Sequence, residues 1–182
     1  MLVSYISDYD LAVQAVMNAI KGLPELKGIK KVVVYDSRYG SDDASLVVRS
    51  CIADFLKKKE IEVYYSTGPG VQEVGMEIGY TVHDLKVVYT REFRRFFIGE
   101  KMVERWAHVQ IEISLIKEGR LFGLYRLTGD AKSVIPKKEV PVLRSASFTQ
   151  DYSTQQTGGS LIEPLIVTTI VGILIYVFYV PK

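Results

Sequence analysis

The sequence is poor in residues that bind metals or form disulfides. It has one cysteine, Cys51, and two histidines, His83 and His108, among 182 residues. A single thiol cannot form an internal disulfide, and one cysteine with two separated histidines does not match the ligand spacing of a zinc site. Cys51 falls on the apolar side of a predicted helix, where a thiol packs as a small apolar group. We therefore predict no metal site and no reactive cysteine.

Signatures of catalysis and of nucleotide binding are also absent from the sequence. No GxGxxG, GK[ST] or GxSxG motif occurs, and the pair His83–Asp84 has no nucleophile motif to complete a triad. The sequence also has no large excess of charge of one sign, since it contains 23 basic and 21 acidic residues. This balance gives no reason to expect a nucleic acid partner. We expect a protein that is not an enzyme, with no catalytic residues and no required cofactor.

A secretory signal is missing from the amino terminus. The first residues, MLVSY, do not form a basic segment followed by an apolar one. The soluble part is therefore expected on the cytoplasmic face of a membrane, or in the periplasm if a signal peptide is missing from this start.

One long apolar run stands near the C-terminus. The segment 165–180, from Leu165 to Val180, reads LIVTTIVGILIYVFYV and has no charge. Eleven of its residues are Leu, Ile, Val or Phe, which together favour insertion into a bilayer by about 5 kcal/mol. Its sixteen residues span only about 24 Å as a helix, so an extension back to residue 161 is needed to cross a core of about 30 Å. We predict one transmembrane helix at 161–180, with the lipid bilayer as its partner.

The residues before this helix are polar. Segment 145–160 reads SASFTQDYSTQQTGGS and cannot bury enough apolar surface to fold alone, so we predict a flexible linker. Segment 1–144 is long enough to bury its own core and is predicted to be one soluble domain. The sequence thus predicts a single-pass membrane protein with a C-terminal anchor.

The first half of the soluble segment alternates between helical and strand patterns. Apolar residues recur at helical spacing after Asp8, a predicted N-cap, and again over 44–55. Between and after these helices, KVVVYD at 31–36 and IEVYY at 61–65 read as strands. A strand–helix–strand unit of this size implies a parallel strand pair.

The second half changes to a period of two. Apolar residues alternate with polar ones from Leu85 and most clearly over 103–115, and a third strand follows at 121–128 after the turn at Glu118-Gly119. The predicted fold class is α/β (α+β), with a small mixed sheet in which a strand–helix–strand unit precedes an antiparallel meander.

The loop after the first predicted strand is a candidate phosphate site. It resembles the first phosphate loop of flavodoxins, where a strand also runs into a Ser-x-x-Gly turn at the start of a helix. The candidate flavin- or nucleotide-binding residues are Ser37, Tyr39, Gly40 and Ser41. Asp42 and Asp43 follow, as acids that favour the first turn of a helix but repel a phosphate. We keep flavin or nucleotide binding as the alternative function.

A predicted hairpin rich in arginine and phenylalanine is the candidate partner-binding surface. Two interpretations remain open: solvated strand ends whose aromatic residues enter the core, or a surface that faces a partner or a membrane. Arginine and aromatic residues are enriched where protein interfaces are strongest. The candidate partner-binding residues are Arg91, Arg94, Arg95, Phe96, Phe97 and Lys101.

The order of elements resembles the α/β domain of the curli-secretion and penicillin-binding-protein-activator group, which shares its fold with the N-terminal domain of the Tol-Pal translocation protein. The matching segments are KKVVVYD, LVVRSCIADFLKKK, IEVYY, ERWAHVQI and the strand at 121–127, so the resemblance covers roughly residues 8–145. It implies a non-enzymatic envelope protein that binds other proteins. We therefore expect a membrane-tethered scaffold or adaptor with protein partners at the membrane, and association of copies through the apolar helix is a further possibility.

Overall fold

The computed structural model describes residues 5–38, 42–66, 75–94, 99–144 and 146–150. Within these ranges helices and strands alternate first, and long strands follow. In chain order the elements are α1 (Asp8–Ile20), β1 (Lys31–Asp36), α2 (Asp43–Lys57), β2 (Glu62–Tyr65), β3 (Met76–Arg94), β4 (Lys101–Lys117), β5 (Arg120–Pro136), a 3-10 turn (Lys137–Glu139), α3 (Val140–Leu143) and β6 (Thr149–Gln150).

All six strands belong to one mixed sheet. The strand order is β2-β1-β3-β4-β5, and β6 pairs with β3 outside this path. β1 pairs in parallel with β2 and with the first part of β3, whereas β3, β4 and β5 pair in antiparallel fashion. The predicted α/β class is thereby confirmed, including the strand–helix–strand unit and the antiparallel meander after it.

Helix α1 begins one residue earlier than its pattern suggested. The N-cap is Ser7, whose Oγ accepts the amide of Asp10 at 3.0 Å, while Asp10 accepts the amide of Ser7 at 3.2 Å. This reciprocal capping box satisfies two amides that would otherwise lack partners. The predicted N-cap Asp8 is wrong, because Asp8 is the first helical residue and its side chain turns into the protein interior.

The core lies between the sheet and helices α1 and α2. α1 packs mainly across β4 and β5 and also contacts α2. α1 approaches the backbone of β5 at Gly129, where a Cβ would lie 2.2 Å from the main-chain oxygen of Ala15 and 2.5 Å from the amide nitrogen of Ala19. Glycine at this position lets the helix and the strand pack backbone to backbone.

The antiparallel strands are longer than the sequence pattern predicted. β3 has 19 residues, and β4 and β5 have 17 each, which corresponds to roughly 55 to 60 Å of extended chain. β3 begins at Met76, before the alternation that starts at Leu85, and β5 continues past Thr128 to Pro136. The predicted turn between β4 and β5 is confirmed, since Glu118 and Gly119 both have positive φ, at 53° and 72°.

The C-terminal boundary of the domain differs from the predicted one. The linker predicted at 145–160 begins inside the fold, because Phe148 packs on the core and Thr149–Gln150 pair in parallel with Val87 and Val88 of β3. These residues join the domain through a few specific contacts that a polar composition does not reveal. Within the described ranges no helix is long and apolar enough to cross a bilayer. The span predicted at 161–180 lies outside those ranges.

Candidate functional site

Three of the predicted partner-binding residues lie together where β3 ends and β4 begins. Arg91 and Arg94 are exposed on β3, and Lys101 is exposed at the start of β4. Arg94 and Lys101 are direct neighbours across the strand pair and share one face of it. Arg91, three residues earlier, is on the opposite face and pairs with Glu104. Three further predicted residues lie outside the described part of the chain: Arg95, Phe96 and Phe97. We call Arg91, Arg94 and Lys101 the hairpin patch.

Acidic residues balance only part of the charge at the hairpin patch. Glu92 lies 3.8 Å from the Lys101 ammonium and 2.8 Å from that of Lys137, and the Lys137 hydrogen bond lowers the pKa of Glu92. Among the described residues, Arg91 and Arg94 have no carboxylate within 4 Å. Because like charges opposite each other on neighbouring strands destabilise a sheet, the Arg94–Lys101 pair does not serve the stability of the fold.

A buried polar cluster joins α1 to the long strands. Asp8 and Arg105 have fully buried side chains, and Arg105 Nη1 lies 2.6 Å from Asp8 Oδ1. Tyr89 donates its hydroxyl to Asp8 Oδ2 at 2.9 Å, and Thr149 donates to the same oxygen at 3.1 Å. Arg105 Nη2 also donates to the main-chain oxygen of Ile6 at 2.7 Å. This Asp8 cluster provides most of the partners that a buried ion pair requires. The buried Arg105 Nε is the exception, since it has no hydrogen-bond partner among the described residues.

The Asp8 cluster was not predicted from the sequence, although one signal for it was present. Arg105 occupies a core-facing position in the alternating pattern of β4, between Val103 and Ala107. A fully buried arginine requires a buried acid, but Asp8 lies 97 positions away in sequence. Burial and the nearby Asp8 carboxylate raise the pKa of Tyr89 to about 12, which keeps its hydroxyl protonated as a donor.

The loop after β1 is described only in part, since Tyr39, Gly40 and Ser41 lie outside the described residues. The Ser37 amide donates to the main-chain oxygen of Tyr80 at 2.8 Å, and the Arg38 amide donates to Asp36 at 2.8 Å. Asp36 also accepts the Ser45 hydroxyl, which lies 2.9 Å from the Tyr80 hydroxyl. We call this the Asp36 cluster. The two described amides of this loop, those of Ser37 and Arg38, already have acceptors and are not available to a phosphate, and the Asp36 carboxylate repels anions.

The two histidines each have acidic neighbours. His108 Nδ1 lies 2.7 Å from Asp130, and His83 Nε2 lies 3.8 Å from Glu112. His83 Nδ1 is also 3.1 Å from the Arg38 guanidinium. No group of three or more His, Cys, Asp or Glu side chains within the described ranges could hold a metal ion. Both histidines are therefore surface residues with polar partners.

A second exposed surface lies next to the turn between β4 and β5. Leu121, Phe122 and Leu124 are 63%, 66% and 58% exposed. A register shift makes Phe122 an extra residue in β5, so apolar side chains follow one another without entering the core. The sequence signal was the run LFGL at 121–124, which does not alternate between apolar and polar residues as a strand with one buried face does. We call these three residues the turn patch.

No protein-family model matches this chain, and no curated protein matches it significantly. Several solved structures resemble it. A protein described as a homolog of a neuraminyllactose-binding hemagglutinin, from Helicobacter pylori, is 14% identical, with 64% of this chain and 71% of that chain covered and a TM-score of 0.34. A minor lipoprotein from Acinetobacter baumannii is 10% identical, with 79% and 81% covered and a TM-score of 0.32. Lipoprotein GNA1162 from Neisseria meningitidis is 10% identical, with 79% and 96% covered and a TM-score of 0.32.

Proposed function

We propose that this chain is a membrane-tethered, non-enzymatic scaffold or adaptor of a cell envelope that binds a protein partner through the hairpin patch. The observation that carries this proposal is the parallel pairing of β6 with β3. Because parallel strands run in the same direction, the chain leaves β6 toward the end of β3 that carries Arg91 and Arg94. This direction of the chain at Gln150 supports a tether on the side of the domain that carries the hairpin patch.

The distances along the strands support this arrangement. Gln150 pairs with Val88, and the stretch of β3 from Val88 to Arg94 covers roughly 20 Å. In the opposite direction, the stretch of β4 from Ala107, which pairs with Val87, to Lys117 covers about 33 Å. A coil over the remaining linker, 151–160, has an end-to-end distance of about 17 Å. A partner at the hairpin patch would then be close to the bilayer that holds 161–180.

The charge of the hairpin patch indicates the kind of partner. Arg91 and Arg94 are exposed basic side chains, and arginine is among the residues that contribute most to protein interfaces. The like-charged pair Arg94–Lys101 costs stability, and such local costs are expected at functional surfaces. We infer a protein partner with an acidic surface. The resemblance to the curli-secretion and penicillin-binding-protein-activator group implies the same class of function.

A site-specific photo-crosslinker placed at residue 94 of the full-length chain, in membranes of cells that produce it, tests the partner surface. We expect a discrete adduct that is lost when Arg91→Glu is added, because charge reversal weakens contact with an acidic surface. The matched control is the crosslinker at Lys58, an exposed lysine after α2, where no adduct is expected. Equal adducts at both positions, or none at either, would reject the hairpin patch as the binding surface.

Membrane fractionation tests the tether. We expect the full-length chain in the high-speed pellet until detergent is added, and a chain ending at Gln150 in the supernatant. Recovery of the full-length chain in the supernatant would contradict the tether. The alternative, a flavin- or nucleotide-binding protein that uses the loop at 37–41, would gain support if FMN raised the Tm of the purified chain.

A further inference from the structure

We propose that the turn patch inserts into the interface of an anionic lipid bilayer, with Lys117 and Arg120 contacting the phosphate headgroups. This surface is distinct from the hairpin patch and lies at the other end of the long strands. Its occupant is lipid, and not a protein or a second copy of this chain. The observations that carry the proposal are the exposure, the position and the charge of these five residues.

The apolar side chains of the turn patch do not serve the core. Leu121 pairs with Ile116 and Leu124 pairs with Ser114, so both lie on the sheet face opposite to Leu115, which is fully buried. α1 and α2 pack on the face of Leu115 and therefore cannot cover them. Contiguous exposed apolar side chains mark sites where a protein meets another surface.

The turn patch is presented by a rigid element. β4 and β5 remain paired up to Lys117 and Arg120, and only Glu118 and Gly119 form the turn. Both turn residues have the left-handed conformation that two-residue hairpin turns require. A short hairpin end needs no ordering when it enters a lipid interface, which reduces the entropic cost of binding.

The charges at this end favour an anionic surface. Lys117 and Arg120 pair directly across the hairpin and are both exposed, and neither has a carboxylate within 4 Å among the described residues. The exposed Glu118 lies between them in the turn, so these three residues together keep a positive charge. Basic residues beside exposed Leu and Phe are the combination found in segments that bind lipid interfaces. Two turn patches facing each other would bring four of these cations together, so charge disfavours a second copy as the occupant.

The predicted anchor allows this contact, and this step alone rests on the proposed tether. Gln150 lies beside Val88, which pairs with Trp106, about 36 Å along the strands from Lys117 at the turn. A fully extended chain as long as the segment 151–160 reaches about 33–36 Å. The turn patch can therefore reach the bilayer that holds 161–180 when the long strands lie along its surface.

A fluorescent label at the turn patch tests the proposal in the full-length chain. Phe122→Cys is labelled with an NBD dye and reconstituted into phosphatidylcholine vesicles with or without phosphatidylglycerol. The natural Cys51 is buried, and burial raises the pKa of its thiol to about 11, so it reacts slowly. We expect a blue shift and a severalfold rise in emission with phosphatidylglycerol, and loss of most of this change in Lys117→Glu/Arg120→Glu. A label at Lys58→Cys should not respond.

Three outcomes would overturn the proposal. An unchanged dye on phosphatidylglycerol vesicles would exclude insertion. A blue shift without lipid that grows with protein concentration would identify a second copy as the occupant. An equal response of the Lys58→Cys label would show non-specific adsorption. Flotation of the chain with phosphatidylcholine vesicles reports on the anchor separately, so a floating chain with an unchanged dye rejects the turn patch and leaves the tether intact.

Discussion

The Asp8 cluster and the Asp36 cluster both join an aspartate to a buried tyrosine, but they balance the carboxylate in different ways. In the first, the carboxylate is fully buried and lies 2.6 Å from the Arg105 guanidinium. In the second, the carboxylate is half-buried and accepts neutral donors, the Ser45 hydroxyl and the Arg38 amide. A carboxylate that keeps some contact with water needs no cation beside it, whereas one withdrawn from water does.

This difference determines how each cluster should respond to mutation. Removing one partner of a buried ion pair leaves an uncompensated charge in the interior. Removing a neutral donor from a partly exposed carboxylate costs only a hydrogen bond, because water replaces part of the contact. The Asp8 cluster should therefore be the more sensitive of the two, and the following four predictions test this comparison.

The largest effect is expected for Arg105→Met. It leaves the Asp8 carboxylate buried without its cation and should reduce the free energy of unfolding by about 3–5 kcal/mol, measured by urea denaturation. Ser45→Ala in the Asp36 cluster is the matched comparison, with an expected loss of about 1 kcal/mol. Asp8→Asn combined with Arg105→Met should recover most of the loss. Similar losses of unfolding free energy for Arg105→Met and Ser45→Ala would contradict the expected difference between the two clusters.

The two tyrosines provide a second test. The Tyr89 hydroxyl donates to the charged Asp8 carboxylate at 2.9 Å. The Tyr80 hydroxyl instead forms a hydrogen bond of 2.9 Å with the uncharged Ser45 hydroxyl. Hydrogen bonds to charged groups are the stronger ones, so Tyr89→Phe should cost about 1.5–3 kcal/mol and Tyr80→Phe about 0.5–1.5 kcal/mol. Thermal unfolding of the two variants gives this ranking directly, and the reverse ranking would show that charge does not distinguish the clusters.

High pH should weaken the contribution of Tyr89. Its pKa is raised to about 12 in the folded protein, above the ordinary value of about 10. As pH rises past 10, the unfolded tyrosine loses its proton while the folded one keeps it, so stability falls. The advantage of the unchanged chain over Tyr89→Phe should shrink by about 1 kcal/mol between pH 8 and pH 11. Urea titrations at both pH values measure this, and a constant difference would contradict the raised pKa.

The smallest effect concerns the contribution of β6 to the Asp8 cluster. Thr149→Val removes the hydroxyl that donates to Asp8 at 3.1 Å and should cost about 1 kcal/mol. Ser147→Ala, which removes an exposed hydrogen bond to Asp43, is the control and should be close to neutral. If neither variant changed the free energy of unfolding, β6 would not unfold together with the rest of the domain.

Local patterns predicted the elements of this fold but not its long-range contacts. The helices, the first strands and the turn at Glu118-Gly119 followed from spacing and turn chemistry, which act over a few residues. The strand end predicted at Thr128 was wrong, because β5 continues through Gly129 to Pro136. In the structure Gly129 is required where α1 crosses β5. Whether such a glycine ends a strand or admits a helix depends on packing that no short window contains.

The candidate surfaces also differ in whether local sequence patterns could predict them. The exposure of Arg91, Arg94 and Lys101 could be predicted from the sequence, because hairpin ends place such side chains in solvent. Their role in binding a partner stays a prediction. The turn patch was missed, since exposure of Leu121 and Leu124 depends on which face the helices cover. The partnership of Asp8 with Arg105 depends on tertiary structure in the same manner.

The parallel pairing of β6 also has a mechanical meaning. A pull on a C-terminal anchor would act along β6, in the direction of β3 beside it. The hydrogen bonds between β6 and β3 would then be loaded in shear together and would not open one after another. Phe148 packs on the core and Thr149 is hydrogen-bonded to Asp8, so a force applied at Gln150 would pass to the core and to the Asp8 cluster. Such a force would thus reach α1 through Asp8 before it could separate the strands of the sheet one by one.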